Sequence, residues 1–107
     1  MIHVEIKKTI YPLEFGLSQI RQFAMSKKIK SFKLFVKWIK DFDCESFEDI
    51  GDLAELYHLA LKKGCNEKGV DCYIEVDDII DLAFDNHLEY KRIEKELQKI
   101  LNREETL

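Results

Sequence analysis

The chain has little of what breaks or staples a fold. Pro12 is its only proline, and it holds four glycines in 107 residues. Extended disordered or low-complexity stretches are therefore excluded except at the ends. It has only three cysteines, Cys44, Cys65 and Cys72. That odd, small number excludes a complete disulfide framework and fits a reducing compartment. Cys65 and Cys72 are separated by six residues and have no histidine close by, which is not a zinc-ligand spacing. No run approaches the roughly 18 apolar residues of a membrane-spanning helix. The opening Met1-Ile2-His3-Val4-Glu5-Ile6-Lys7-Lys8 lacks the apolar core of a signal peptide. The expectation is a protein that stays in the cytoplasm, with no membrane partner.

Catalytic signatures are missing as well. There is no glycine-rich phosphate loop, no G-x-S-x-G elbow and no H-E-x-x-H. His3, His58 and His87 are scattered. His58 follows Glu55 on the polar edge of an expected helix and reads as a solvated side chain. Asp77, Asp78 and Asp81 form a carboxylate cluster without EF-hand spacing, and they suit the positive end of a helix dipole. No catalytic residue, cofactor or metal ligand is nominated, so the sequence reads as a binding protein and not an enzyme.

What the chain does have is core material. Hydrophobic residues make up 46% and aromatics 11%, enough for one packed core across residues 1–107. Charge is distributed unevenly. Residues 1–40 hold nine Lys/Arg against two Glu, a balance of +7, while the remainder balances at −11. Such polarity can be neutralised inside the fold or can drive association with a partner or a second copy.

Periodicity predicts a mainly α fold of about five helices with a short N-terminal β-hairpin or extended strand. Ile2-His3-Val4-Glu5-Ile6 alternates as a half-buried strand does. Thr9 to Phe15 resumes extended chemistry, with Pro12 confining it to an edge. Leu17, Ile20, Phe23 and Ala24 mark a helix over 17–26. Ser31 caps a second, in which Phe32, Phe35, Val36 and Ile39 form a stripe widened by Leu34 and Trp38. The third starts at Ser46-Phe47-Glu48-Asp49, buries Phe47, Ile50, Leu53, Ala54, Tyr57, Ala60 and Leu61, and stops at Lys62-Lys63-Gly64. Residues 65–73 read as a loop. Val76, Ile79, Ile80, Ala83 and Phe84 mark a fourth helix, and Tyr90, Ile93, Leu97, Ile100 and Leu101 a fifth after an Asp85-Asn86 cap. The helical core is expected over 17–102 and a frayed tail over 103–107.

The second helix carries the most distinctive surface. Lys30, Lys33, Lys37 and Lys40 recur at spacings of three and four, leaving a lysine ridge beside its aromatic stripe. Lys33, Lys37 and Lys40, with Phe32, Phe35, Trp38 and Phe42, are the candidate partner-binding residues, and Tyr90 and Leu97 are a second choice. The ridge could follow nucleic-acid phosphates. It contains no Arg, the usual bidentate reader of guanine, and the whole chain is acidic, which argues against that use.

The order of these pieces resembles the tail assembly chaperones of long-tailed bacteriophages. The resemblance rests on Tyr11-Pro12-Leu13-Glu14-Phe15 feeding the helix at Leu17-Ile20-Arg21-Phe23, then Ser46-Phe47-Glu48-Asp49-Ile50. It continues through Leu53-Ala54-Glu55-Leu56-Tyr57, Ala60-Leu61-Lys62-Lys63-Gly64 and Glu75-Val76-Asp77-Asp78-Ile79-Ile80-Asp81, covering most of residues 9–84. It implies a helical protein of the host bacterial cytoplasm, made by a phage or prophage. Such a protein would bind the tape measure or another long helical tail protein while the tail tube polymerises; the charge polarity noted above leaves a homo-oligomer open as well. The lysine-rich helix departs from the family pattern. The alternative is a small helical adaptor or regulator, for which the lysine-rich helix could offer a nucleic-acid contact.

Overall fold

The computed structural model describes residues 1–105. Two strands, β1 (Ile2–Ile6) and β2 (Thr9–Leu13), precede five helices among the described residues. These are α1 (Leu17–Ser26), α2 (Phe32–Lys40), α3 (Phe47–Lys68), α4 (Val76–Asp85) and α5 (His87–Glu105). The tail expected to fray from 103 is helical as far as Glu105, and Thr106 and Leu107 lie outside the described residues. Among those residues no helix is long and apolar enough to cross a membrane.

The strands pair antiparallel, Ile2 opposite Leu13 and Ile6 opposite Thr9. Lys7 and Lys8 turn the chain with φ of 53° and 66°, the two left-handed positions of a type I′ hairpin. Asn-Gly is the usual pair there, so the turn carries none of its ordinary sequence marks. A lone hairpin cannot stand by itself. This one buries Val4, Ile6, Tyr11 and Leu13 against helices. One hydrogen bond from β1 and one from just past β2 tie the hairpin to helices. The Glu5 backbone N–H donates to the Glu89 carboxylate of α5 at 2.7 Å, and the Glu14 N–H donates to the Ala60 carbonyl of α3 at 3.1 Å.

The centre is α3, and here the structure corrects the sequence reading. The helix does not stop at Gly64. It continues to Lys68 and ends in a Schellman turn, with Gly69 at φ 66° and the Val70 N–H bonded to the Cys65 carbonyl at 2.9 Å. Gly64 serves a different purpose. It is buried where β2 crosses the helix, and a Cβ there would stand 2.6 Å from the Pro12 carbonyl carbon and 2.8 Å from Leu13 Cα. The loop expected from Cys65 therefore shrinks to the short connection before α4. Cys65 is part of the core, and burial pushes its thiol up to about 11.

Three further expectations are overturned by position. Phe47 is 92% exposed, because it opens α3 beyond the reach of the core. Phe84 is 75% exposed in the last turn of α4. Leu56, absent from the predicted stripe, is fully buried, since helices and hairpin enclose α3 over a wide arc. The caps behave as read. Ser46 Oγ accepts from the Asp49 N–H at 3.2 Å. Asp78 closes a capping box with Glu75 and pairs with Lys7 at 2.6 Å, and both contacts hold its carboxyl below the ordinary range. The Asn86 carboxamide accepts from the Glu89 N–H at the head of α5.

Candidate functional site

The most distinctive surface lies where α1 hands over to α2. Ile20, Phe23 and Ala24 turn inward from α1, which leaves Leu17 and Met25 facing solvent. The helix ends in a second Schellman turn, with the Ile29 N–H bonded to the Ala24 carbonyl at 2.8 Å. Its left-handed residue, at φ 62°, is Lys28. Ser31 then caps α2 by accepting from the Leu34 N–H at 3.1 Å. The short connection from Lys27 to Ser31 joins the two helices, and a cleft lies between them.

Side chains hold α2 in place. Phe35 is 1% exposed and meets Phe23 edge-on, with ring centroids 6.4 Å apart. Trp38 closes the triangle, 5.5 Å from Phe23 and 6.1 Å from Phe35. Such aromatic pairs contribute about 0.5–1.5 kcal/mol each beyond area burial. Val36 completes the buried side of α2.

The cleft so formed has a volume of about 340 Å³. Ile20, Ala24 and Phe35 make its floor, while Ile29 and Phe32 are half-buried in its wall. Leu17 and Met25 stand on the rim, each more than half exposed. The rim also carries Arg21 and Lys30.

The predicted partner-binding residues do not form one patch. Phe32 and Phe35 line this cleft, Phe35 from beneath. Trp38 packs into the aromatic cluster, half-buried. Phe42 lines a separate cleft of about 370 Å³ with Ile39, Tyr57 and Leu97, flanked by Lys91, Glu94 and Lys95. Lys33, Lys37 and Lys40 are exposed along α2. Of the second choices, Tyr90 and Leu97 are both core residues. Sequence reasoning missed Leu17, Arg21 and Met25, because α1 read as a helix of ordinary spacing. One available signal was the charge count, since residues 15–40 contain seven Lys/Arg and no Asp or Glu.

The cations divide into two groups. Those facing the body of the fold are matched. Lys27 bridges Asp52 at 2.8 Å and Glu55 at 2.9 Å, contacts that raise its pKa above the ordinary lysine value. Lys63 pairs with Glu14 at 2.8 Å and also with Glu67. Around the cleft, Arg21, Lys28, Lys30, Lys33 and Lys37 make no ion pair among the described residues.

The other polar candidates are structural. His58 is not simply solvated, because its Nε2 lies 2.6 Å from the Ile74 carbonyl and ties α3 to the connection before α4. Asp78 is engaged by Lys7 and the capping box, as described above. Among the described residues no group of three or more His, Cys, Asp or Glu is placed to hold a metal ion. No protein-family model matches the chain, and no curated protein or solved structure matches it.

Proposed function

We propose that the protein acts by binding another protein, as a tail assembly chaperone that holds an apolar helical segment of the tape measure protein until the tail tube polymerises around it. The observation that carries this reading is the open cleft between α1 and α2, apolar at its floor and walls and rimmed by exposed Leu17 and Met25. Apolar side chains gathered around a concavity mark interaction sites more often than the same residues scattered singly. A small helical domain can shield a long, aggregation-prone helix in this way. The resemblance over residues 9–84 supplies the identity of the partner.

Co-expression with the longest open reading frame encoded beside this one, followed by affinity capture and sizing, tests the proposal. A soluble complex with a long helical protein supports it. Elution of the protein alone, with the partner insoluble, removes it. Lys30, Lys33 and Lys37, which make no ion pair among the described residues, favour a second reading, an adaptor that contacts nucleic acid. That reading requires retention on DNA or RNA that declines steeply with salt.

A further inference from the structure

We infer that the occupant of the α1–α2 cleft is an amphipathic α-helix of another protein with Asp or Glu flanking its apolar stripe. This rests on the binding reading above and names the partner's chemistry.

Three observations converge on such a helix. The first is shape. α1 has ten residues, about 15 Å of helix at 1.5 Å per residue. A docked helix anchoring at i, i+3 or i+4, and i+7 spans about 10.5 Å, which fits along it. The second is polarity, since Ile20 and Phe35 beneath and Leu17 and Met25 above would cover three such anchors from water. The third is charge. Arg21 and Lys30 stand on the rim, with Lys28 and Lys33 beside them in sequence, and none has an ion-pair partner among the described residues. A strip of one sign costs self-repulsion, and carboxylates from an incoming helix would relieve it.

Other occupants fit less well. Phosphate backbones would use the cations and gain nothing from Leu17 or Met25. A second copy of this chain has its acidic helix in α4, but the apolar side of α4 is committed to the core through Ile79 and Leu82. Only Phe84 remains fully outside on it, one anchor where a stripe is needed.

The test uses two fluorescein-labelled helical peptides with the same leucine stripe, flanked in one by Glu and in the other by Lys. Fluorescence anisotropy with the full-length protein should give tighter binding of the Glu peptide by about tenfold or more, an advantage that shrinks as salt is raised. Amide shifts on titration should cluster between Leu17 and Phe35. Met25→Glu, on an exposed side chain, should abolish binding with the thermal midpoint unchanged. The double variant Arg21→Glu, Lys30→Glu should reverse the preference toward the Lys peptide. Equal binding of both peptides, no binding, or shifts centred on Phe42 and Leu97 would overturn the inference. Failure here is separable from failure of the chaperone reading. A co-expressed complex that survives Met25→Glu removes the cleft assignment and leaves the chaperone intact.

Discussion

Gly64→Ala should destabilise the protein, although the same change in an open helix stabilises one. Alanine exceeds glycine in helix propensity by about 1 kcal/mol, and Gly64 lies inside a helix of 22 residues. Against that gain stands the crossing of β2. The new Cβ would meet the Pro12 carbonyl oxygen and carbon and Leu13 Cα, the last two at 2.6 and 2.8 Å. All three atoms are backbone, so no side chain can swing aside. Pro12 and Leu13 are themselves buried, and the strand is tied to α3 immediately afterwards by the Glu14 to Ala60 hydrogen bond. Overpacking of this kind costs about 1–3 kcal/mol and occasionally more. Relieving contacts this short means moving β2 by most of an ångström, which belongs at the upper end. The net loss should be about 2 kcal/mol, a large share of the roughly 5–15 kcal/mol that holds a domain together. Gly51→Ala is the matched control. It is also in α3, with nothing within 4 Å of its Cβ position, and should gain about 0.5–1 kcal/mol. Urea unfolding followed by far-ultraviolet circular dichroism gives both values. A Gly64→Ala protein as stable as the parent would refute the close crossing of helix and strand.

Further perturbations separate the other elements. Phe35→Ala should cost about 3–5 kcal/mol in the same assay, as for a fully buried aromatic, while Leu34→Ala, half exposed on the preceding residue, should stay within about 0.5 kcal/mol. Equal costs would mean that α2 packs through a different face. Lys28→Gly should stabilise by about 0.5–1 kcal/mol, because it relieves a left-handed backbone at φ 62°. A loss of stability would contradict that conformation. Acid stability should depend on Glu89, whose pKa is held below its ordinary value of 4.5, first by the hydrogen bond from the Glu5 N–H and then by Arg92. A carboxylate lowered in the folded state contributes stability that is complete above its unfolded pKa and disappears as pH falls through the folded one. Thermal midpoints should therefore hold down to about pH 4.5 and drop below it. Glu89→Gln should lower the midpoint at neutral pH and shrink the acid-induced drop. An unchanged pH profile in that variant would remove the strand-to-helix bond from the account.

Much of the fold was legible because short-range chemistry decided it. The 3.6-residue spacing of Ile20, Phe23 and Ala24, or of Ile93, Leu97 and Leu101, marks one face of a helix whatever lies opposite. Ser31 and Ser46 bond N–H groups three residues ahead, so both caps could be read locally. Pro12 announced an edge strand because it lacks an N–H. The errors fell where a distant segment intervened. Gly64 looked like a helix stop from its neighbours Lys62 and Lys63, yet β2 alone decides what glycine does there. Phe47 and Phe84 had the spacing of core residues but stand at helix ends, beyond what the core reaches.

The candidate site divides along the same line. Composition determined that residues 15–40 are cationic and aromatic, since no Asp or Glu lies among them. Which apolar side chains of this stretch face water was decided by the packing of α1 on α2, which sends Phe35 beneath the cleft and leaves Leu17 and Met25 above it. The tertiary structure alone likewise matched Lys27 to Asp52 and Glu55 while leaving Arg21 and Lys30 on the rim without such partners among the described residues. Periodicity records that a side chain has an apolar face to follow. Whether that face meets another helix or open solvent depends on long-range contacts, and those exist only once the chain has closed on itself.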